Sequence, residues 1–335
     1  MRTKKQLWIR ALIICGVAAV LFTAALLILR NQDQSRHAET REKMSEGFGQ
    51  LRTVEVDGIT YREKPAVTTL LLVGIDQPAD AVNTNVSKSY RSGGQADFIL
   101  LLAIDHTDRK IHQLQIDRDT MTEVDVLGVF GNEVGTRILQ ICLAHSFGET
   151  PQDNAKYTVR AVQNLMDGIN INGYYMVDYS AVPTLNDVLG GVTVELRDDM
   201  TGVNPAWTKG STVTLRGKEA ETFVRTRKTI GSGTNEERMD RQNEFMRKAV
   251  QQMRKKMSGS TAFAEELLNT LHNISVSNMT VKALAEEIVK ARDYEVLPVD
   301  HPLGEYGLGD DGFVEFHMEK GETIHWVLEH LYTRQ

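Results

Sequence analysis

Two aspartates and a group of arginines carry most of the chemistry this sequence offers. Asp76 closes the apolar run 66–75 (AVTTLLLVGI), Asp97 precedes the run 98–104, and Arg118 follows the run 111–116. Further along, Arg225, Arg227, Lys228, Arg238, Arg241, Arg247, Lys248, Arg254, Lys255 and Lys256 fall within 32 residues of an otherwise acidic body. A guanidinium fork matches phosphate oxygens two at a time. Two carboxylates at neighbouring strand ends suit Mg2+, which keeps waters and takes phosphate oxygens as its remaining ligands. The plainer alternatives are a solvated basic helix for the arginines and turn capping for each aspartate. No P-loop, G-x-S-x-G or HExxH pattern occurs. His145 lacks metal-ligand spacing, and residues 304–312 (GEYGLGDDG) read as a plain loop. Cys142, in an apolar helical pattern, reads as a small buried hydrophobe.

The elements that must position these groups follow from periodicity. Residues 98–104 and 111–116 are strands, and DHTDRK between them has turn chemistry. With the turn centred between Thr107 and Asp108, antiparallel partners sum to about 215, so Asp97 faces Arg118 at the open end of the hairpin. If strand 66–75 lies alongside, Asp76 arrives at the same edge, where α/β sheets commonly bind ligands. On a helix over 236–257, Arg238 and Gln242 share a face that Phe245 and Ala249 continue toward a core. Arg225 and Arg227 point the same way only if their segment is extended. Further helices are expected over 135–146, 154–166, 181–189 (stopped by Gly190 and Gly191), 218–223 and 280–292. Strands are expected over 174–179 and 192–196, and loops over 77–94 and 230–234. The alternation predicts one α/β domain over 66–335 with a central mixed β-sheet flanked by helices.

The chain has 335 residues, 38 of them Lys or Arg and 45 Asp or Glu, giving a net charge of -7 that argues against nucleic acid as a partner. Residues 1–30 hold five basic side chains and no acidic one. From Ala11 to Leu29 the chain reads ALIICGVAAVLFTAALLIL, 19 residues without a charge. At about 1.5 Å per residue this matches the hydrocarbon core of a bilayer. It is longer than the usual apolar region of a signal peptide and ends without a small-x-small cleavage site. Arg2, Lys4, Lys5 and Arg10 precede it, which keeps residues 1–10 cytoplasmic and exports the rest. Residues 30–65 are then a polar stalk and linker. Cys15 and Cys142 are the two cysteines, on different sides of this plan, so a disulfide-stapled module is excluded.

The order of an anchor helix, LLLVGID (70–76), ADFILLLAID (96–105), IDRDT (116–120), TLNDVLGGVTV (184–194), FVRTRKT (223–229) and ERMDRQNEF (237–245) resembles the LytR-CpsA-Psr family. The resemblance covers roughly residues 66–257. It implies an extracytoplasmic phosphotransferase that moves a glycopolymer from a polyprenyl diphosphate carrier onto peptidoglycan or another wall acceptor. It places Asp76 and Asp97 on the metal-associated positions, with Mg2+ as cofactor, and Arg118, Arg225, Arg227, Arg238 and Gln242 on the diphosphate-binding positions. Asp97 and Arg118 are then the candidate catalytic pair. Two positions depart from the family pattern: Asp117 stands where proline is usual, and Asn235 where an acidic residue is common. A non-catalytic sensor of polyprenyl phosphates or wall polymers, and a hydrolase of the same diphosphate bond, are the competing functions.

The charge asymmetry predicts that a reporter active only in the cytoplasm, fused after Gln335, is silent; a strong signal would overturn the topology.

Overall fold

Runs of apolar and β-branched residues long enough to cross a sheet supply the framework of the folded unit, described here from a computed structural model covering residues 51–76, 94–128, 133–227, 230–231, 233–257 and 260–335. The expected membrane helix, most of the stalk and the loop over 77–93 lie outside the described residues. In chain order the unit contains β1 (Thr53–Val56), β2 (Ile59–Glu63), β3 (Val67–Asp76), β4 (Gln95–Asp105), β5 (Lys110–Ile116), β6 (Met121–Leu127), β7 (Glu133–Gln140), a 3-10 turn (Ile141–Ser146) and α1 (Pro151–Leu165). Next come β8 (Gly173–Asp178), α2 (Ala181–Leu189), β9 (Thr193–Glu195), β10 (Thr212–Thr214), α3 (Lys218–Arg225) and α4 (Asn235–Lys256). The last part holds α5 (Ala262–Leu271), β11 (Ser275–Ser277), α6 (Val281–Lys290), β12 (Glu295–Asp300), β13 (Gly304–Leu308), β14 (Val314–Met318), α7 (Lys320–Leu331) and β15 (Tyr332–Arg334).

The central sheet is mixed, as expected, in the order β11-β8-β3-β4-β5-β12. β3 pairs antiparallel with β4 and parallel with β8, and β5 pairs parallel with β12. Both faces of β3 and β4 are buried, which explains their near-continuous apolar sequence. One face, with Leu71, Val73, Ile99 and Leu101, packs under α1 and α7 through Val159, Val162, Trp326 and Leu331. On the other, Phe98 and Leu100 meet α2, α3 and α4 through Leu189, Phe223 and Phe245, while Leu70 and Ile104 meet α5 and α6. Gly190 ends α2 with a φ of 86°, the left-handed conformation that glycine adopts without strain.

Three expectations are corrected. Residues 135–146 are not one helix: 133–140 form β7, paired with β6, and only Ile141–Ser146 coils. The helical spacing came from the buried 3-10 turn, and the preceding residues find strand partners in a segment that carries no strong strand signal of its own. Residues 304–312 are not a plain loop, since 304–308 pair with 314–318 as a hairpin. The linker expected to reach residue 65 ends earlier: β2 lies between β1 and the C-terminal β15, so residues 53–63 belong to the folded unit. In addition, the helix expected over 218–223 runs on to Arg225.

His145 is buried in the 3-10 turn, its Nδ1 3.0 Å from Thr158 Oγ1. Thr158 donates its own hydroxyl hydrogen to Asn154 O, so the imidazole must donate from Nδ1. Burial pushes its pKa from an ordinary 6.5 down to about 4. The unfolded chain therefore takes a proton at a pH where the folded one refuses it, and the stability this group contributes is complete above its unfolded pKa and lost as pH falls toward 4. The loss approaches ~3 kcal/mol. Urea denaturation between these pH values should show a steeper decline for the unmodified protein than for His145→Asn; parallel curves would refute the assignment.

Candidate active site

Asp97 owes its position to a break in strand pairing. β3 and β4 pair Gly74 with Phe98 and then Ile75 with Ala96, which leaves Asp97 as the extra residue of a β-bulge. A bulge bends the strand and re-aims a side chain. At the same point a Cβ on Gly74 would stand 3.1 Å from Phe98 Cβ and 3.3 Å from the Tyr179 ring, so glycine permits the close approach. β4 and β5 hold the expected register, from Ile99 opposite Ile116 to Asp105 opposite Lys110. Arg118 Nη1 accordingly meets Asp97 Oδ1.

The second oxygen of Asp97 receives Arg238 Nη1 at 2.9 Å. Arg238 lies in the first turn of α4, which begins after Thr234, whose hydroxyl accepts from Glu237 N. Asp97 thus bridges two guanidiniums, with side-chain exposures of 3% for Asp97, 17% for Arg118 and 7% for Arg238. Arg118 also donates to Gln95 Oε1 at 2.6 Å and approaches Asp119 at 3.3 Å.

Around this centre lies a more exposed rim. Asp76, at the end of β3, accepts from Arg225 Nη2 at 2.6 Å, and Arg225 also binds Glu221 at 2.8 Å. Burial raises the Asp76 pKa; Arg225 pulls it back, the charge on Asp97 adds to the rise, and the net shift is upward. Arg225 ends α3, and Thr226, which follows it, is extended. Arg227 is half-buried, and its charge acts on Asp119 together with those of Arg118 and Arg238. Burial and the charge on Asp117 outweigh them and leave the Asp119 pKa raised.

The structure therefore brings Asp76, Asp97, Arg118, Arg225, Arg227 and Arg238 to one end of the sheet. Gln242 is on the expected face of α4, yet its amide nitrogen is engaged by Tyr179 Oη at 2.9 Å and by Val224 O. It braces the site from behind rather than presenting that nitrogen to a ligand. Cys142 is fully buried, as expected, but its Sγ lies 3.5 Å from Arg118 Nη2. Burial pushes the thiol pKa up to about 12, so it is neutral packing beneath the arginine. Arg241 binds Asp198 at 2.8 Å and the carbonyl of Thr226, tying α4 to the segment that carries Arg227.

Asp119, Gln95, Tyr179 and Tyr306 are neighbours that the sequence alone does not single out. Asp119 was within reach, as an acid in the same turn as Arg118. Tyr179 directly follows β8, whose pairing with β3 puts its backbone N 3.0 Å from Ile75 O. Tyr306 had no such signal: its hydroxyl reaches Asp117 Oδ2 at 2.6 Å across 189 residues.

Among the described residues no group of three or more His, Cys, Asp or Glu side chains could hold a metal ion. Asp76 and Asp97 are thus a two-carboxylate set that waters or a ligand would have to complete. Because Asp97 is buried and both its oxygens face guanidiniums, that of Arg238 buried as well, Asp97→Asn should cost roughly 3 to 5 kcal/mol. At the rim, Asp76→Asn should cost about 1 kcal/mol or less. Denaturation midpoints of the two variants test this, and equal losses would contradict the division into centre and rim.

Comparison with known proteins points to one family. A family model described as the LytR_cpsA_psr family matches residues 28–296. A protein of Oceanobacillus iheyensis described as polyisoprenyl-teichoic acid–peptidoglycan teichoic acid transferase TagU is 27% identical over 278 residues, covering 81% of this chain and 76% of that protein. Its counterpart from Halalkalibacterium halodurans is also 27% identical, over 184 residues, covering 55% of this chain; the match spans only 52% of that relative's length. The crystal structure of Bacillus subtilis TagV superposes with a TM-score of 0.57 at 21% identity, covering 80% of this chain and 98% of that one, which speaks for the fold.

Proposed function

The chain belongs to the LytR_cpsA_psr family, and from that premise we propose that it is a membrane-anchored phosphotransferase. It moves a glycopolymer from a polyprenyl diphosphate carrier to peptidoglycan or another cell-wall acceptor. The observation that carries this reading is the convergence of Arg118, Arg225 and Arg238 on Asp97 and Asp76 at one sheet end, with Arg227 close enough for its charge to act on neighbouring Asp119. The relatives' description as teichoic acid transferases supports it. The apolar stretch 11–29 and its basic flank support a single-pass anchor with the catalytic unit outside the cell.

The chemistry uses groups already in place. An acceptor sugar hydroxyl attacks the phosphorus next to the glycan; a new P–O bond forms as the bond to the bridging oxygen breaks, and polyprenyl phosphate leaves. The hydroxyl proton passes to a carboxylate of the cluster. Charge growing on the diphosphate is met by guanidiniums that Asp97 holds in fixed orientation, so little reorganisation is needed at the moment of reaction.

The donor set also fits Mg2+. Among the described residues Arg118, Arg225 and Arg238 are each already paired with carboxylates (Asp97, Asp119, Asp76 and Glu221), so an anionic donor would add negative charge that a cation would offset. When held by Asp76 and Asp97, the ion would supply Lewis-acid neutralisation of the diphosphate oxygens.

The test is to incubate the full-length chain in detergent with a synthetic polyprenyl-diphosphate glycan, Mg2+ and a peptidoglycan oligomer, then look for the linked product by mass spectrometry. Product is expected, and EDTA should remove it. Free glycan phosphate alone would favour the hydrolase, and retained donor with no product would favour the sensor. In binding assays Arg118→Ala and Arg227→Ala should each weaken donor affinity about 10- to 150-fold, the worth of one charge-assisted contact. Exposed Lys255→Ala should have no effect; a loss equal to that of Arg227→Ala would mean a diffuse basic surface rather than a pocket.

A further inference from the structure

Asp117 is buried, and both of its carboxylate oxygens are engaged by neutral donors. Its Oδ1 accepts from Asp119 N and from Asn235 Nδ2, both at 2.8 Å, and its Oδ2 accepts the Tyr306 hydroxyl. Asn235 is buried as well, and its Oδ1 accepts from Arg238 Nη2 at 2.5 Å. Arg238 in turn donates through Nη1 to Asp97. A continuous chain of contacts runs from the C-terminal hairpin through Asp117 and Asn235 to the centre of the site.

The middle link has a polarity. An amide has one accepting and one donating end, and Arg238 can only donate. Asn235 helps Arg238 only while its oxygen faces the guanidinium, which requires its nitrogen to have an acceptor on the other side. Asp117 is the strong acceptor there, with Met239 Sδ at 3.6 Å as a weak second one. Without it the buried amide can turn its NH2 toward Arg238, donor against donor, or leave a buried donor unpaired. A carboxylate at 235 would have no wrong way round, but beside Asp117 it would set two buried carboxylates against each other.

We propose that Asp117 is a positioning residue of the phosphate-binding site, fixing the orientation of the Asn235 amide and through it the aim of Arg238 at the ligand. This deepens the proposed function and rests on Arg238 binding a prenyl diphosphate. It predicts a specific pattern of rescue. Asn235 is the first residue of α4, where aspartate by itself suits the helix dipole; a penalty of Asn235→Asp that the double variant relieves therefore comes from Asp117.

The test uses the full-length chain in detergent, with farnesyl diphosphate as probe and Asp117→Ala, Asn235→Asp and the double variant. Each single change should weaken binding about tenfold or more, and the double should return to within about threefold of the unmodified protein, a strongly non-additive cycle. Additive losses, or unchanged affinity in Asp117→Ala, would overturn the proposal. Should Asp117→Ala fail to fold, Asn235→Asp is compared with the double: better binding in the double supports the relay, equal or worse binding refutes it. If the unmodified protein does not bind the probe, the proposed function falls, and the relay is judged by the Arg238 guanidinium proton resonances. These should shift in Asn235→Asp and return toward their original positions in the double; no shift, or no return, would overturn it.

Discussion

One buried carboxylate holding a buried and a largely buried arginine is the constraint on which the rest of the site depends. Removing three charges from water is costly, and their mutual attraction repays that cost only when the geometry is good and further hydrogen bonds satisfy the remaining atoms. Asp97 meets the first condition because the bulge in β4 frees its side chain from the ladder and turns it toward the sheet end. Gln95 and Asn235 serve the second by accepting from Arg118 and Arg238, and Asp119 adds an ion pair to Arg118. The start of α4, the exit of β5 and the close approach at Gly74 all follow from the need to bring these three side chains together without water.

What was legible in the sequence is what local rules control. The turn DHTDRK set the hairpin register, and a period of two carried that register to Asp97 and Arg118. The period of α4 sorted its basic residues: Arg238 and Arg241 point inward, while Arg247 and Lys248 pair with Glu244, and Lys255 and Lys256 are exposed. The inward-facing arginines and the solvated basic residues therefore lie on different faces of one element.

What was missed lies partly in short hairpins and partly in contacts distant in sequence. β7 is a strand because β6 lies beside it, whereas residues 53–63 fold as a local hairpin across Asp57-Gly58, both at positive φ, a turn signal the stalk reading passed over; β15 pairs only with the end of β2. The hairpin over 304–318 resembles a glycine-rich loop in sequence, since its role shows only when Phe316 N reaches Asp119 O and Tyr306 reaches Asp117. The two departures from the family pattern, Asp117 and Asn235, stand 118 residues apart and look independent in the sequence. In the fold they are hydrogen-bonded to each other, so the acid missing from one position stands at the other.

The division between centre and rim bears on how a lipid diphosphate would enter. Asp97, Arg118 and Arg238 cannot separate without stranding buried charge. Arg225 and Asp76 can, because their side chains are 38% and 29% exposed and a pair in contact with water costs little to open. On the proposed reading, Arg225 can therefore exchange Asp76 for a phosphate oxygen while the inner arginines remain aimed. That exchange releases an Asp76 carboxylate oxygen just as the donor brings more negative charge, which is where a divalent cation gains most. Fixed donors inside and an exchangeable pair outside thus allow the site to admit its ligand without dismantling the charges that act on it.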